Sequence, residues 1–239
     1  MITLDEILWR LLPGSSIDIE GPAQALVTEL FLIARRTFGT VHLIMDWSIN
    51  VADPDRTEDA AALLRRLLDL YGSVAFVLAD SDDWDTNALR CELGAARNLE
   101  VAMRDVLEAK TDESHTERHA ELLGEIAEIE ELLVARVGEA KQVPSTTDIF
   151  KKIGYDHLLV WRQSSDVLHA GVVGRALQRD DLTVGVSATP ERQLFVMDTA
   201  IATMADLATS WAMILAADLT DLEAFGDEHK ARIEASQPT

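Results

Sequence analysis

The run Leu122, Ile126, Ile129, Leu133, Val137 sets apolar side chains at spacings of 4, 3, 4 and 4 residues. An α-helix turns once every ~3.6 residues, so all five fall on one flank. A flank of that kind is stable only when a second helix covers it. The pattern recurs upstream: Ala61, Leu64, Leu68, Tyr71 and Ala75 share one face, and Leu89, Leu93, Ala96, Met103 and Leu107 share another. The alternation of a half-buried strand is nearly absent, with Leu182 to Ala188 readable as a short strand or as a loop. The expected fold class is therefore all-α, a helical bundle of about six or seven helices.

Punctuation along the chain places these helices. Leu4, Ile7, Leu8, Leu11 and Leu12 make a short amphipathic piece that Pro13-Gly14 stops. It reads as a segment packed on the main body, with a partner-binding arm as the sharper alternative. A second helix is expected from Pro22 to about Val51, broken near Gly39, with a stripe of Ala23, Leu26, Val27, Leu30 and Ile33. Asp53-Pro54 ends it. Thr57 is then read as an N-cap, with Glu58 and Asp59 in the first turn of a helix that reaches Ala79. Ser81 to Asp85 reads as a turn and cap for a helix from Trp84 to about Lys110, and Thr111-Asp112 as the cap of the next, which Gly138 stops. The Ser145 to Asp148 cluster restarts the chain into a helix expected to reach His169, with Gly154 a weak point. Pro190 is placed for the first position of a last helix running to about Leu222. The domain reading is a helical extension over 1–52, a helical-bundle domain over 53–225, and a polar, fraying tail over 226–239.

Charge and composition exclude several function classes. The 239 residues carry a net charge of −21, which repels phosphate backbones on average and disfavours broad nucleic-acid binding; a local basic pocket stays compatible with it. The single cysteine, Cys91, cannot form a disulfide within one chain and fits a reducing compartment. The start MITLDEILWRLLPGSS lacks the basic residues of a secretory signal, and no apolar run nears ~18 residues. A cytoplasmic protein without membrane contact is expected. No Gly-rich phosphate loop and no Gly-x-Ser-x-Gly elbow occur, so no cofactor is expected. His115 and His119 have zinc-chelating spacing, but they lie on a charged face with no third ligand near in sequence, and no metal is expected. Asp80, Asp82, Asp83 and Asp85 lack the glycine and distal glutamate of a calcium loop and read as capping residues. The five tryptophans are scattered and read as core anchors.

One segment carries chemistry. Arg162 and His169 stand seven positions apart, about two turns if the segment is helical, and so share a face. Arginine binds phosphate through a planar fork, and histidine exchanges protons near neutrality. Together they suit metal-free RNA cleavage, with His169 as acid or base and Arg162 stabilising the pentacoordinate phosphorane. Ser165, one turn before His169, is placed to hydrogen-bond it. The plainer reading is a surface arginine and a histidine near a helix end. Upstream, Arg65 and Arg66 precede Asp69 by four and three positions, an intrahelical ion pair or a polar cluster directed at Arg162 and His169.

The run Tyr155, Trp161-Arg162, Ser165, Val167, His169 resembles the motif of a bacterial helical family of unknown function, akin to the HEPN superfamily. Leu64 to Asp69 is similar to that family's Arg-rich first core helix, with Asp where Glu is more usual, and Lys141 to Pro144 to its Lys-x-x-Pro turn. The likeness spans about residues 57 to 219. It implies a four- to five-helix bundle and, in active members, a homodimer whose two Arg-His motifs face one composite cleft. It also implies an RNase of toxin or antiviral-defence type, with Arg162, His169, Ser165 and Asp69 at the site, RNA as substrate and an antitoxin or other protein as partner. Gln163 departs from the Asn, Asp or His that often follows the motif arginine. Many relatives are non-catalytic interaction or regulatory modules, which is the alternative function.

Overall fold

A computed structural model describes residues 4, 7, 19–50, 55–79, 83–109, 113–154, 161–162 and 190–236. Among them the only regular structure is helix. Seven helices follow in order: α1 (Gly21–Asn50), α2 (Asp55–Val77), α3 (Trp84–Ala109), α4 (Glu113–Val137), α5 (Thr146–Ile153), α6 (Pro190–Ile214) and α7 (Thr220–Ser236). The all-α expectation stands. By internal contacts the chain forms two units. One comprises Met1–Ile19, Val27–Ala75 and Thr146–Thr239, the other Glu20–Leu26 and Phe76–Ser145.

The first unit is built on α1 and α6. Phe31, Ala34, Phe38, Val41 and Met45 recur every three or four residues on α1 and are buried. On α6, Val196, Ala200, Met204, Leu207 and Trp211 do the same. Phe31 stacks on Trp211 with ring centroids 4.4 Å apart and planes within 7°. The indole N–H of Trp211 donates to Thr28 Oγ1 at 3.2 Å, so the largest core side chain is also satisfied as a donor. By contacts, α1 from Val27 onward groups with most of α2 and with α6. Gly39 does not break α1, which continues to Asn50. Leu4 and Ile7 are helical and buried, as expected of a segment packed on the body.

Other differences have local causes. α2 starts at Asp55, so Thr57 lies inside it. Its hydroxyl is 2.8 Å from that of Ser48, a buried pair, and this bond replaces the expected cap. The helix expected to reach Leu222 ends at Ile214. Ala216 takes φ 51°, and Asp218 accepts from Thr220 N (2.9 Å) and Oγ1 (2.7 Å) to open α7. The expected fraying tail is helical to Ser236. Trp47 (59% exposed) and Trp84 (37%) are surface residues, so among the described tryptophans the core-anchor reading holds fully only for Trp211; Trp9 lies outside the described residues.

The second unit is a helical hairpin. Leu122, Ile126 and Leu133 of α4 bury against Leu89 and Leu93 of α3, with Ile129 half-buried beside them; Val137, the last of the expected seam, is exposed. Gly138 ends α4 with φ +77°, its N–H returning to Val134 O at 2.9 Å. Two members of the acidic cluster work as caps: Asp83 accepts from the backbone N–H of Thr86 (3.1 Å), and Asp85 from that of Ala23 (3.0 Å) at the start of α1, while Asp80 and Asp82 lie outside the described residues. Arg136 spans both, 3.3 Å from Asp83 and 3.6 Å from Asp85. His119 Nε2 lies 3.3 Å from Glu100 Oε1 across the hairpin. Burial, then the charge of Glu92, pushes the Cys91 thiol up to about 12.

Candidate functional site

Four side chains of the first unit assemble around the motif. Arg65 and Asp69 lie one turn apart on α2, and Arg65 Nε is 3.2 Å from each Asp69 oxygen. The indole N–H of Trp161 donates to Asp69 Oδ1 at 2.9 Å. Arg65 in turn lies over the Trp161 ring, its Cζ 3.7 Å from the centroid, a cation–π contact. Phe150 of α5 closes the group, 5.8 Å from Trp161 with planes tilted 38°.

Gly72 permits this packing. A Cβ there would meet Phe150 Cε2 and Cζ at 3.2 Å, so a side chain on that turn of α2 would push the ring outward. Asp69 is thus held by one cation and one indole. Its carboxylate is committed to them, which suits positioning rather than proton transfer. Arg65 is largely buried, and its Nη1 makes no hydrogen bond. A buried donor without a partner is costly, and such groups mark places where a ligand or strained function is accommodated.

Trp161 and Arg162 are consecutive helical residues, and they face opposite environments. Trp161 is half-buried in the group just described, whereas Arg162 is exposed. Anchoring the indole therefore fixes the backbone that carries a solvent-facing guanidinium. Exposed cations adjoin this group along the chain: Arg66 follows Arg65 on α2, and Lys151 and Lys152 follow Phe150 in the last turn of α5. Lys151 pairs with Asp148 at 3.2 Å. Also on α2, burial and then the charge of Asp206 push Tyr71 up to about 12, so its hydroxyl stays protonated at neutral pH.

Of the four residues singled out from sequence, Asp69 and Arg162 are linked through Trp161. Ser165 and His169 lie outside the described residues, as does Leu182 to Ala188. Sequence reasoning found the Arg65–Asp69 pair and the Trp161-Arg162 dipeptide but not their connection, which spans 92 positions. It also passed over Phe150 and Gly72; a glycine within the apolar face of α2 was the available signal. Comparison with family models, with curated proteins and with solved structures returns no match.

Proposed function

We propose that this chain is an endoribonuclease of toxin or defence type that cleaves RNA without a metal, acting as a homodimer. Arg162 grips the scissile phosphate and His169 carries the proton. In this scheme the 2′-hydroxyl attacks its own 3′-phosphate as a histidine removes its proton. The P–O5′ bond breaks, and the leaving 5′-oxygen takes a proton from the second histidine of the dimer. A 2′,3′-cyclic phosphate and a 5′-hydroxyl result. Arg162 offsets the charge that builds on the phosphorane oxygens. Ser165 orients the imidazole, and Asp69 acts through Trp161 as a positioning residue.

The observation that carries this reading is the Asp69–Trp161 hydrogen bond beneath an exposed Arg162. A catalytic cation must be solvent-facing before substrate arrives and held by something rigid. Arg66, beside Arg65 in the chain, and Lys151 and Lys152, beside Phe150, are exposed cations that would supply an attraction for phosphate that the net charge of −21 does not. The test is cleavage of a fluorescent RNA in EDTA by wild type, Arg162→Ala and His169→Ala, with circular dichroism on each. Loss of cleavage in both variants with helix content intact is the expected result. Wild-type protein that leaves every RNA whole would sink the proposal.

A non-catalytic interaction module is favoured by a different feature. Leu99 on α3 and Leu132 on α4 are apolar side chains about half exposed, of the kind that a protein partner such as an antitoxin would cover. Charged substitutions at Leu99 and Leu132 that abolish complex formation, in a protein with no RNase activity, would establish this reading instead.

A further inference from the structure

Within the first unit, α1, α6 and α7 line an open cavity of about 940 Å³ that shares no residue with the Arg162 group. Its walls are mainly apolar, with Phe38, Leu43, Met197, Ile201 and Phe225 among them. That volume is in the range of small-molecule sites. Gly39 lies on the wall, midway along a 30-residue helix. A Cβ built there meets nothing within 4 Å, and its φ is not in the left-handed region. Glycine is thus required neither by the backbone nor by a packed neighbour; what its missing side chain leaves is space in the cavity.

The polar part of the lining is cationic. Two arginines, Arg36 and Arg232, face one acid, Glu228, and Arg232 already engages Glu228 at 2.7 Å. Arg36 is therefore in excess, in a chain whose overall charge is −21. His229 stacks parallel to Phe225 with centroids 6.0 Å apart, and its Nε2 is buried with no hydrogen-bond partner. An apolar cavity with one surplus cation on its lining suits an apolar body that ends in a singly charged anion such as a carboxylate.

We propose that this cavity binds a small amphipathic carboxylate, with its hydrocarbon between Phe38 and Phe225 and its carboxylate on Arg36. The full-length chain is titrated with decanoate and with decanol by calorimetry, alongside displacement of 8-anilinonaphthalene-1-sulfonate. Decanoate is expected to bind at one saturable site and displace the dye. Arg36→Gln is expected to weaken decanoate about tenfold, the scale of one charge-assisted hydrogen bond, and to leave decanol unchanged. Gly39→Trp fills the chamber and abolishes binding of both, while Gly39→Ala, which keeps most of the volume, binds like wild type. Circular dichroism and melting temperature report whether each variant folds. Equal affinity for decanol and decanoate would overturn the carboxylate assignment. Undiminished binding in folded Gly39→Trp would overturn the site, and so would a change of oligomeric state in that variant with no ligand bound by wild type.

Discussion

Trp161 joins the two halves of the candidate site, and its indole N–H is the atom that does so. Trp161→Phe keeps a ring beneath Arg65 and removes only the donor to Asp69. A hydrogen bond to a partly exposed carboxylate contributes about 1 kcal/mol, so a small drop in urea midpoint is expected. A larger effect is expected on RNA cleavage, because Arg162 is then carried by a less fixed backbone. Equal loss in Trp161→Phe and Asp69→Ala, with no further loss in the double variant, would show the pair acting as one unit. The sequence announced both partners of this bond. Arg65 and Asp69 are an evident one-turn pair, and Trp161 abuts the motif arginine. No local pattern says that residues 92 apart will meet; that depends on Gly72 letting Phe150 and then Trp161 approach α2.

At the scale of helices, glycine has opposite meanings in two places. On α1, Gly39 faces open space, so Gly39→Ala is expected to stabilise by about 0.5–1 kcal/mol through helix propensity. On α3, a Cβ at Gly94 would meet Val143 Cγ1 at 2.7 Å, and the N–H of Val143 is tied to Arg90 O at 3.0 Å, so the valine cannot easily yield. Gly94→Ala is expected to lose about 1 kcal/mol net, overpacking outweighing propensity. Thermal melts of the two variants should move in opposite directions. Reading Gly39 as a helix break failed because propensity alone was consulted, and the buried stripe through Phe38 and Val41 outweighs one glycine. Caps were more legible. Asp83 was expected as one from its place before Trp84, and it accepts from both the N–H and the hydroxyl of Thr86. The Thr86 hydroxyl is the main reason its carboxyl is held below the usual range, with Arg136 assisting. A depressed folded-state value means that the cap stabilises above the unfolded pKa and is lost as pH falls through the folded one. Asp83→Ala should therefore cost about 1 kcal/mol at pH 7 and progressively less in acid. The cap at Asp218 was overlooked because the apolar run around Trp211 to Ala217 reads as continuous helix; Asp218 before Thr220 was the signal.

For the whole chain, apolar periodicity was enough to give an all-α fold, since each face that recurs at helical spacing must be covered by another. Its division into units was not legible. The 1–52 boundary followed Asp53-Pro54, a local stop, whereas the grouping of α1 with α6 depends on the Phe31–Trp211 stack between residues far apart in sequence. Net charge acts at this scale too. A chain of charge −21 repels RNA over a Debye length, which shrinks from about 30 Å at 0.01 M salt to about 10 Å at 0.1 M. RNA cleavage is therefore expected to quicken as salt rises across that range, the reverse of an enzyme with a basic surface; a monotonic fall would place more cation around the substrate than Arg66, Lys151, Lys152 and Arg162 provide. The most direct measurement is the chemistry of the cut ends. RNA treated in EDTA and resolved by mass spectrometry should carry 2′,3′-cyclic phosphate and 5′-hydroxyl termini, absent with His169→Ala. Cleavage that leaves 5′-phosphates, or that persists unchanged in His169→Ala, would contradict an arginine–histidine mechanism.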